Sequence, residues 1–326
     1  MPTRRTLSPG YRFGIVLAAL LVLTPPPQAV MAAQSAEDAI QWKDWPKDYP
    51  SFDYSEKELE QSWDALHRRD QVPFPDADFV RRVSDGPVAD PAAVAAALRK
   101  GWRRFHGGHF EDAYRIGRAQ GAAGLFLAGR AKLDYAVNII DEIDARRRAL
   151  HDLVEEIASG TENMHRKPFY WELTGLAIIY GQYGRTLSTA QAVNADISDK
   201  IQHYLKKSLA ESDFQPAAHA LYGAYNADIV DRLGGMMARM FYGASRKRAV
   251  AQFEKAIKQA PELIQVRVEY AHSLLQLWGK DRADKAIALL NKALSIKPKD
   301  AEDYLEQLRA RKLLKQWRSE HGGESE

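Results

Sequence analysis

From Glu56 to the C-terminus, proline and glycine cut an almost unbroken helical pattern into pieces of about 12 to 20 residues. The breaks fall at Pro73-Phe74-Pro75, Gly86-Pro87, Asp90-Pro91, Gly107-Gly108, Gly160, Pro168, Pro216, Gly234-Gly235, Pro261, Gly279 and Pro298. No run alternates apolar and polar residues as a half-buried strand would. Helices of this length gain their stability by packing on one another rather than singly. The expected fold is therefore all-α.

Two internal repeats sharpen this. Leu59-x-x-x-Trp63-x-x-Leu66-His67 returns 39 residues later as Leu98-x-x-x-Trp102-x-x-Phe105-His106, and a short second helical pattern follows each copy, Asp76 to Val83 and Phe110 to Gly117. Ala249-x-x-x-Phe253-x-x-Ala256-x-x-x-x-Pro261 returns 37 residues later as Ala286-x-x-x-Leu290-x-x-Ala293-x-x-x-x-Pro298. The alanines let two helices approach closely, the large residue fills the gap towards the next pair, and proline ends the helix.

The second pattern resembles the second helix of the tetratricopeptide repeat family. Trp171-x-x-Thr174-Gly175-x-x-Ile178, His219-x-x-Tyr222-Gly223 and Arg267-x-x-Tyr270-Ala271-x-x-Leu274 resemble its first helix, and Gly101 with Ala113 fits another unit, in which Gly108-x-Phe110-x-x-Ala113 resembles its inter-helix turn. The resemblance covers about two thirds of the chain after residue 33. It implies a right-handed solenoid of antiparallel helix pairs over residues 58–326, with a C-terminal capping helix. Two units depart from the pattern. Gly175 to Ile201 and Gly223 to Ala249 each span 26 residues, about 14 more than the plain repeat. The second insert, Asp228 to Ser245, is rich in glycine and methionine, and residues 121–165 fall outside the register. Such irregular repeats resemble divergent periplasmic tetratricopeptide proteins, including the helical component found with some solute transporters.

The N-terminus reads as a secretory signal over residues 1–33. Arg4, Arg5 and Arg12 precede a short apolar stretch, Gly14 to Thr24, then three prolines, with cleavage expected after Ala32 or Ala33. The alternative, an uncleaved anchor, would need roughly 20 apolar residues. The formal charge of +3 resides wholly in this segment, because it holds three arginines and no acid. The remainder is formally neutral, which gives no electrostatic reason to bind nucleic acid. Residues 34–90 carry 14 acids and 7 bases, so the front is acidic and the body basic. Export, most simply to the periplasm, is the expected localisation, with secretion as the alternative. The absence of cysteine removes thiolate metal sites, thiol nucleophiles and the lipid-carrying residue of a bacterial lipoprotein.

Residues 34–57 form a lead-in with Trp42, Trp45, Tyr49, Phe52 and Tyr54 among acids. It is expected to lie extended over the first helices, or else to present its aromatics as a docking patch. His106-Gly107-Gly108-His109 is the one pattern suggesting a metal, but it lacks a third ligand or an accompanying carboxylate motif. His67 stands where His106 stands in the other repeat copy, which favours a structural role. Glu155-Glu156, Asp141-Glu142-Asp144 and Glu58-Glu60 read as solvated helix faces. Gly117-x-x-x-Gly121-x-x-Gly124 reads as a close-packing stripe. Arg246-Lys247-Arg248 reads as a surface or partner element, and Leu305 to Trp317 as the closing helix. No catalytic site, cofactor or metal ion is expected.

The expected function is non-enzymatic: recognition of another protein or peptide through a concave groove built from Phe169, Glu172, Leu176, Tyr180, Ala224, Asp228, Gln265, His272 and Gln276. An envelope or transport component is the expected kind of partner, and nucleic acid is not. Charge reversal at Glu172 with Asp228 is expected to weaken partner capture and leave stability unchanged. The alternative is a small-solute or transport-accessory protein whose inserts close a pocket. There Gly234-Gly235 would be the hinge, and Met236, Met237, Met240, Phe241 and Tyr242 the adaptable lining.

Overall fold

The structure, a computed structural model, describes residues 40–321. The expected signal segment lies outside the described residues. The chain divides after Gln41, and the body from Trp42 onward carries every described helix.

Fourteen α-helices and no strand occur among the described residues. In chain order they are α1 (Glu56–Leu66), α2 (Ala77–Val83), α3 (Pro91–His106), α4 (Phe110–Ala119), α5 (Leu125–Asn138), α6 (Ile143–Glu162) and α7 (Tyr170–Arg185). There follow α8 (Thr189–Asn194), α9 (Ile197–Leu209), α10 (Pro216–Tyr242), α11 (Arg246–Gln259), α12 (Ile264–Trp278), α13 (Ala283–Ser295) and α14 (Ala301–His321). The starts obey capping chemistry. Ser55 and Glu58 form a capping box on α1, Asp76 caps α2, Asp90 with Pro91 opens α3, and Ser245 caps α11.

The helices pack as antiparallel pairs: α3 with α4, α5 with α6, α7 with α9, α10 with α11 and α12 with α13. Residues 121–165, which fall outside the repeat register, form an ordinary pair, α5 and α6, behind a short 3-10 turn at Gly121–Gly124. Small residues set the close approaches. A side chain at Gly223 would meet Phe253 of the paired helix, and one at Gly101 would meet Leu127 and Ile116. Phe253 is fully buried and stacks on Tyr270 with ring centroids 4.8 Å apart, with Ala256, Ala271, Leu290 and Ala293 in the same core. Full burial of such a side chain is worth about 1.5–3 kcal/mol.

The first helices of successive pairs also touch: α1 with α3, then α3, α5, α7, α10, α12 and α14 in order. The last member, α14, packs on α12 and α13 as a cap should, and it also reaches α3. The series α3 to α14 therefore closes on itself. Charged side chains fill the closure: Arg130 of α5 donates to Asp70, to Asp134 at 3.3 Å and to Glu302 of α14 at 2.6 Å, and Arg69 also pairs with Glu302.

The lead-in from Trp42 to Tyr54 runs without helix across this seam. Trp42 packs on Tyr114 and Tyr135, and Trp45 packs on Phe110 of α4 and Tyr304 of α14. Tyr54 donates its hydroxyl to the Lys299 carbonyl at 2.7 Å, and a side chain at Gly108, whose φ is +85°, would strike the Trp45 ring.

Candidate functional site

The two inserts lie beside each other and flank a cavity. The first insert leaves α7 at Thr186, makes the short α8 behind a Ser188–Gln191 capping box, and enters α9 through Asp196. Asp196 has φ +51°, a left-handed conformation that an aspartate tolerates better than most residues. The second insert is the extension of α10 to 27 residues. Arg232, on that extension, donates to the carbonyls of Gly184 and Leu187 at 3.0 and 3.1 Å. A guanidinium thus adds a donor to carbonyls at and just beyond the end of α7 and ties the inserts together.

Between them is a cavity of about 200 Å³ bounded by α7, α8, α9, α10 and α12. Its walls are largely apolar, including Ile178, Ile197, Ile201, Ala220, Leu221 and Ala224, with Gln182, Gln265 and Tyr225 as neutral polar points and Arg69, Asp196, Asp199 and Arg232 among its charged ones. The Tyr225 hydroxyl is fixed by Gln202, which donates to it at 2.8 Å, and by Ser198 at 2.6 Å. An apolar cavity of about 150 Å³ accepts a benzene-sized molecule, so this one has room for a small organic solute.

One edge is electrostatic. Arg185 of α7 donates to Asp228 of α10 at 2.9 Å and also pairs with Glu269 of α12. Arg309 of α14 donates to the other oxygen of Glu269 at 2.7 Å. Burial opposes ionisation of Glu269, but Arg185 and Arg309 hold its carboxyl well below the usual range. The four groups balance to zero charge, so the cavity has a polar edge without a free cation from this set.

The nine expected groove residues divide. Ala224, Asp228 and Gln265 line the cavity. Phe169 and Glu172 sit at the other end of α7, where Phe169 stacks on Trp171 and Glu172 accepts two bonds from Arg166, at 2.8 and 2.6 Å. Leu176 is fully buried, and Tyr180 is buried against Tyr204. His272 is half-way along α12 with its Nδ1 buried and unpartnered, and Gln276 donates to Asp231 at 2.9 Å. Because Glu172 and Asp228 both belong to ion pairs shielded from water, their reversal cannot leave stability unchanged.

The methionine-rich segment differs from its expected role. Of the five residues, Tyr242 reaches the cavity, whereas Met236, Met237, Met240 and Phe241 are exposed. The cause is Gly234, whose φ of 75° and ψ of 157° interrupt α10 and re-aim its last two turns. His106 and His109 do not meet on a common ligand position. His106 ends α3 and is buried against Asp300 and His67, while His109 opens α4. Among the described residues no group of three or more His, Asp or Glu is placed to hold a metal ion.

Repeat spacing carries no sign of the contacts among Arg185, Glu269 and Arg309, which are 84 and 40 residues apart along the chain. Their meeting depends on the closure by α14, which no local pattern encodes.

No family model and no curated protein matches this chain. Among solved structures it is similar to a thermophilic TPR protein of Thermus thermophilus, with a TM-score of 0.43 and 16% sequence identity, covering 67% of this chain and 98% of that one.

Proposed function

We propose that this all-α helical-repeat protein is a non-enzymatic binding protein of the cell envelope that holds a small organic solute between its two inserts. The observation that carries the reading is the cavity of about 200 Å³ lying where both departures from the repeat pattern converge. An extended peptide needs a long open groove, whereas a cavity of this size fits one small molecule with an apolar body and a polar end. Gln182, Gln265 and Tyr225 are the groups suited to orient that end, and Ile178, Ile201 and Leu221 contribute apolar contact. Placement in the envelope rests on the signal-like character of residues 1–33, and an envelope or transport component is the partner to which such a solute would pass.

The test is native mass spectrometry of the purified full chain, with thermal shift against a panel of small organic solutes. A bound or stabilising solute is expected. Ala224→Phe, which fills the cavity, and Gln265→Ala, which removes a polar point, should each weaken it. Binding unaffected by both substitutions, or no solute stabilisation across the panel, would overturn the assignment. Capture of an extended peptide in preference to solutes would restore the groove reading.

A further inference from the structure

The end of α10 carries a feature that the cavity does not use. After Gly234 the helix continues for two turns, in which Ala238 is fully buried and Tyr242 packs on the core, so that face holds the segment to the body. Met236, Met237, Met240 and Phe241 lie on the opposite side, at positions that share one helical face. Their exposures are 80, 43, 64 and 62%. A side chain added at Gly234 or Gly235 would meet nothing within 4 Å, so the face projects from the body rather than lining a groove.

Its surroundings are of one sign. From Arg232 to Phe253 the chain has five basic residues, Arg232, Arg239, Arg246, Lys247 and Arg248, and no acid. Arg239, Arg246, Lys247 and Arg248 are exposed. Trp278 extends the patch from the end of α12, with Arg246 and Arg282 over its ring at 5.6 and 6.0 Å. Asp231, bonded to Gln276, and Glu254, paired with Lys285, are the acids that bracket this stretch in sequence, and Asp281 adjoins Arg282 beside Trp278.

We infer that this projecting tip inserts into the surface of a lipid bilayer rich in anionic headgroups. Methionine and phenylalanine enter the boundary between headgroups and acyl chains, while arginine and lysine around them meet the lipid phosphates. A second copy of the chain is the poorer occupant, because it would set one basic collar against another. A protein partner would need a pocket for a convex knob, whereas a bilayer deforms around it. No described helix is long and apolar enough to cross a membrane, so the contact proposed is with the surface alone.

The chain has no cysteine, so a single introduced one reports on one place. An environment-sensitive dye on the full-chain variant Met240→Cys is mixed with vesicles of phosphatidylcholine alone, or with roughly one third phosphatidylglycerol added. A blue shift is expected on the anionic vesicles only, weakened at high salt. The same dye on Val193→Cys, an exposed site on α8, should not shift, which separates insertion of the tip from tethering by residues 1–33. Adding Arg239→Glu and Lys247→Glu should lower vesicle affinity by roughly tenfold or more, at an unchanged thermal midpoint. No shift at position 240, an equal shift on neutral vesicles, or a shift that grows with protein concentration without vesicles would overturn the proposal, the last in favour of self-association.

Discussion

The Nε2 atoms of His67 and His106 lie 3.3 Å apart in the buried interior, and each ring rests its Nδ1 on a carboxylate, His67 on Asp70 at 3.0 Å and His106 on Asp300 at 2.8 Å. These are the equivalent residues of the two repeat copies, so the duplication brings its own matching positions into contact. Each Nδ1–H donates to its carboxylate, and the facing Nε2 atoms join the two rings into a relay from Asp70 to Asp300. Trp63 stacks on His67 at 3.8 Å and walls off water. Through Asp300, which also caps α14 by accepting from the Asp303 N–H at 2.8 Å, the relay fastens the last helix to α3.

Removing one member of this relay leaves a buried carboxylate without its partner. His106→Leu should lower the unfolding free energy by about 3 kcal/mol, the scale for breaking a buried charged pair. His67→Leu should do the same, but the double variant should cost clearly less than the sum. A urea-unfolding double-mutant cycle with additive losses would show that the two histidines do not interact in solution.

Asp303 provides a pH signature of the opposite kind from an ordinary ion-paired acid. Burial first, then the neighbouring Asp300 charge, push its carboxyl up to about 7. The folded chain therefore binds a proton that the unfolded chain releases near pH 4, and the contribution of Asp303 to stability falls as pH rises from about 4 to about 7. Asp303→Asn keeps an acceptor for the Lys299 N–H without the charge. It should exceed the parent in stability by about 1 kcal/mol or more at pH 8, and the gap should close by about pH 4 to 5. His67 carries the other sign, since burial lowers its pKa and its neutral form loses ground as pH falls below about 6.5. Only the difference between the two chains isolates Asp303, and curves that stay parallel from pH 4 to 8 would refute the assignment.

Much of the helix layout is legible in the sequence because its signals are local. Asp90-Pro91, Ser55 with Glu58, and the alanine spacing around Phe253 act over a few residues. The pair α5–α6 escapes the register because Arg130, Lys132 and Asp134 are buried on α5 and erase its apolar period. These charges face partners from Asp70 to Glu302, up to 172 residues away, and nothing local forecasts them. The same holds for the cavity. Repeat spacing selects Ala224, Asp228 and Gln265, which line it, but the pairing of Arg185 with Glu269 and Arg309 becomes legible only once α14 is known to close the series.

The glycines of the stripe are needed for different reasons. A Cβ at Gly117 would lie 2.7 Å from the Ala128 nitrogen and 2.8 Å from the Gly124 carbonyl oxygen, both backbone atoms that cannot swing aside, whereas Gly121 has open space around it but holds a φ of +56°, which side chains rarely adopt. Gly117→Ala should therefore cost about 2–3 kcal/mol through overpacking of α4 on α5. Gly235→Ala, in open space within the helical tip, should be neutral or stabilising by up to about 1 kcal/mol. Thermal unfolding of the two variants side by side makes the comparison, and equal midpoints would contradict the packing described.

Arg185 tests whether the polar edge of the cavity holds the series closed. It is shielded from water, and its loss strands Asp228 while leaving Glu269 to Arg309 alone. Arg185→Leu should cost about 3–5 kcal/mol. By contrast, Arg115→Leu removes an exposed pair with Glu111, four residues away on α4, and should cost about 0.5 kcal/mol or less. Hydrogen exchange adds a spatial check. Because Arg309 reaches Glu269 from α14, weakening this cluster should speed exchange in α14 and α12 before α4, and an effect confined to α7 would mean that the cluster does not bear on closure.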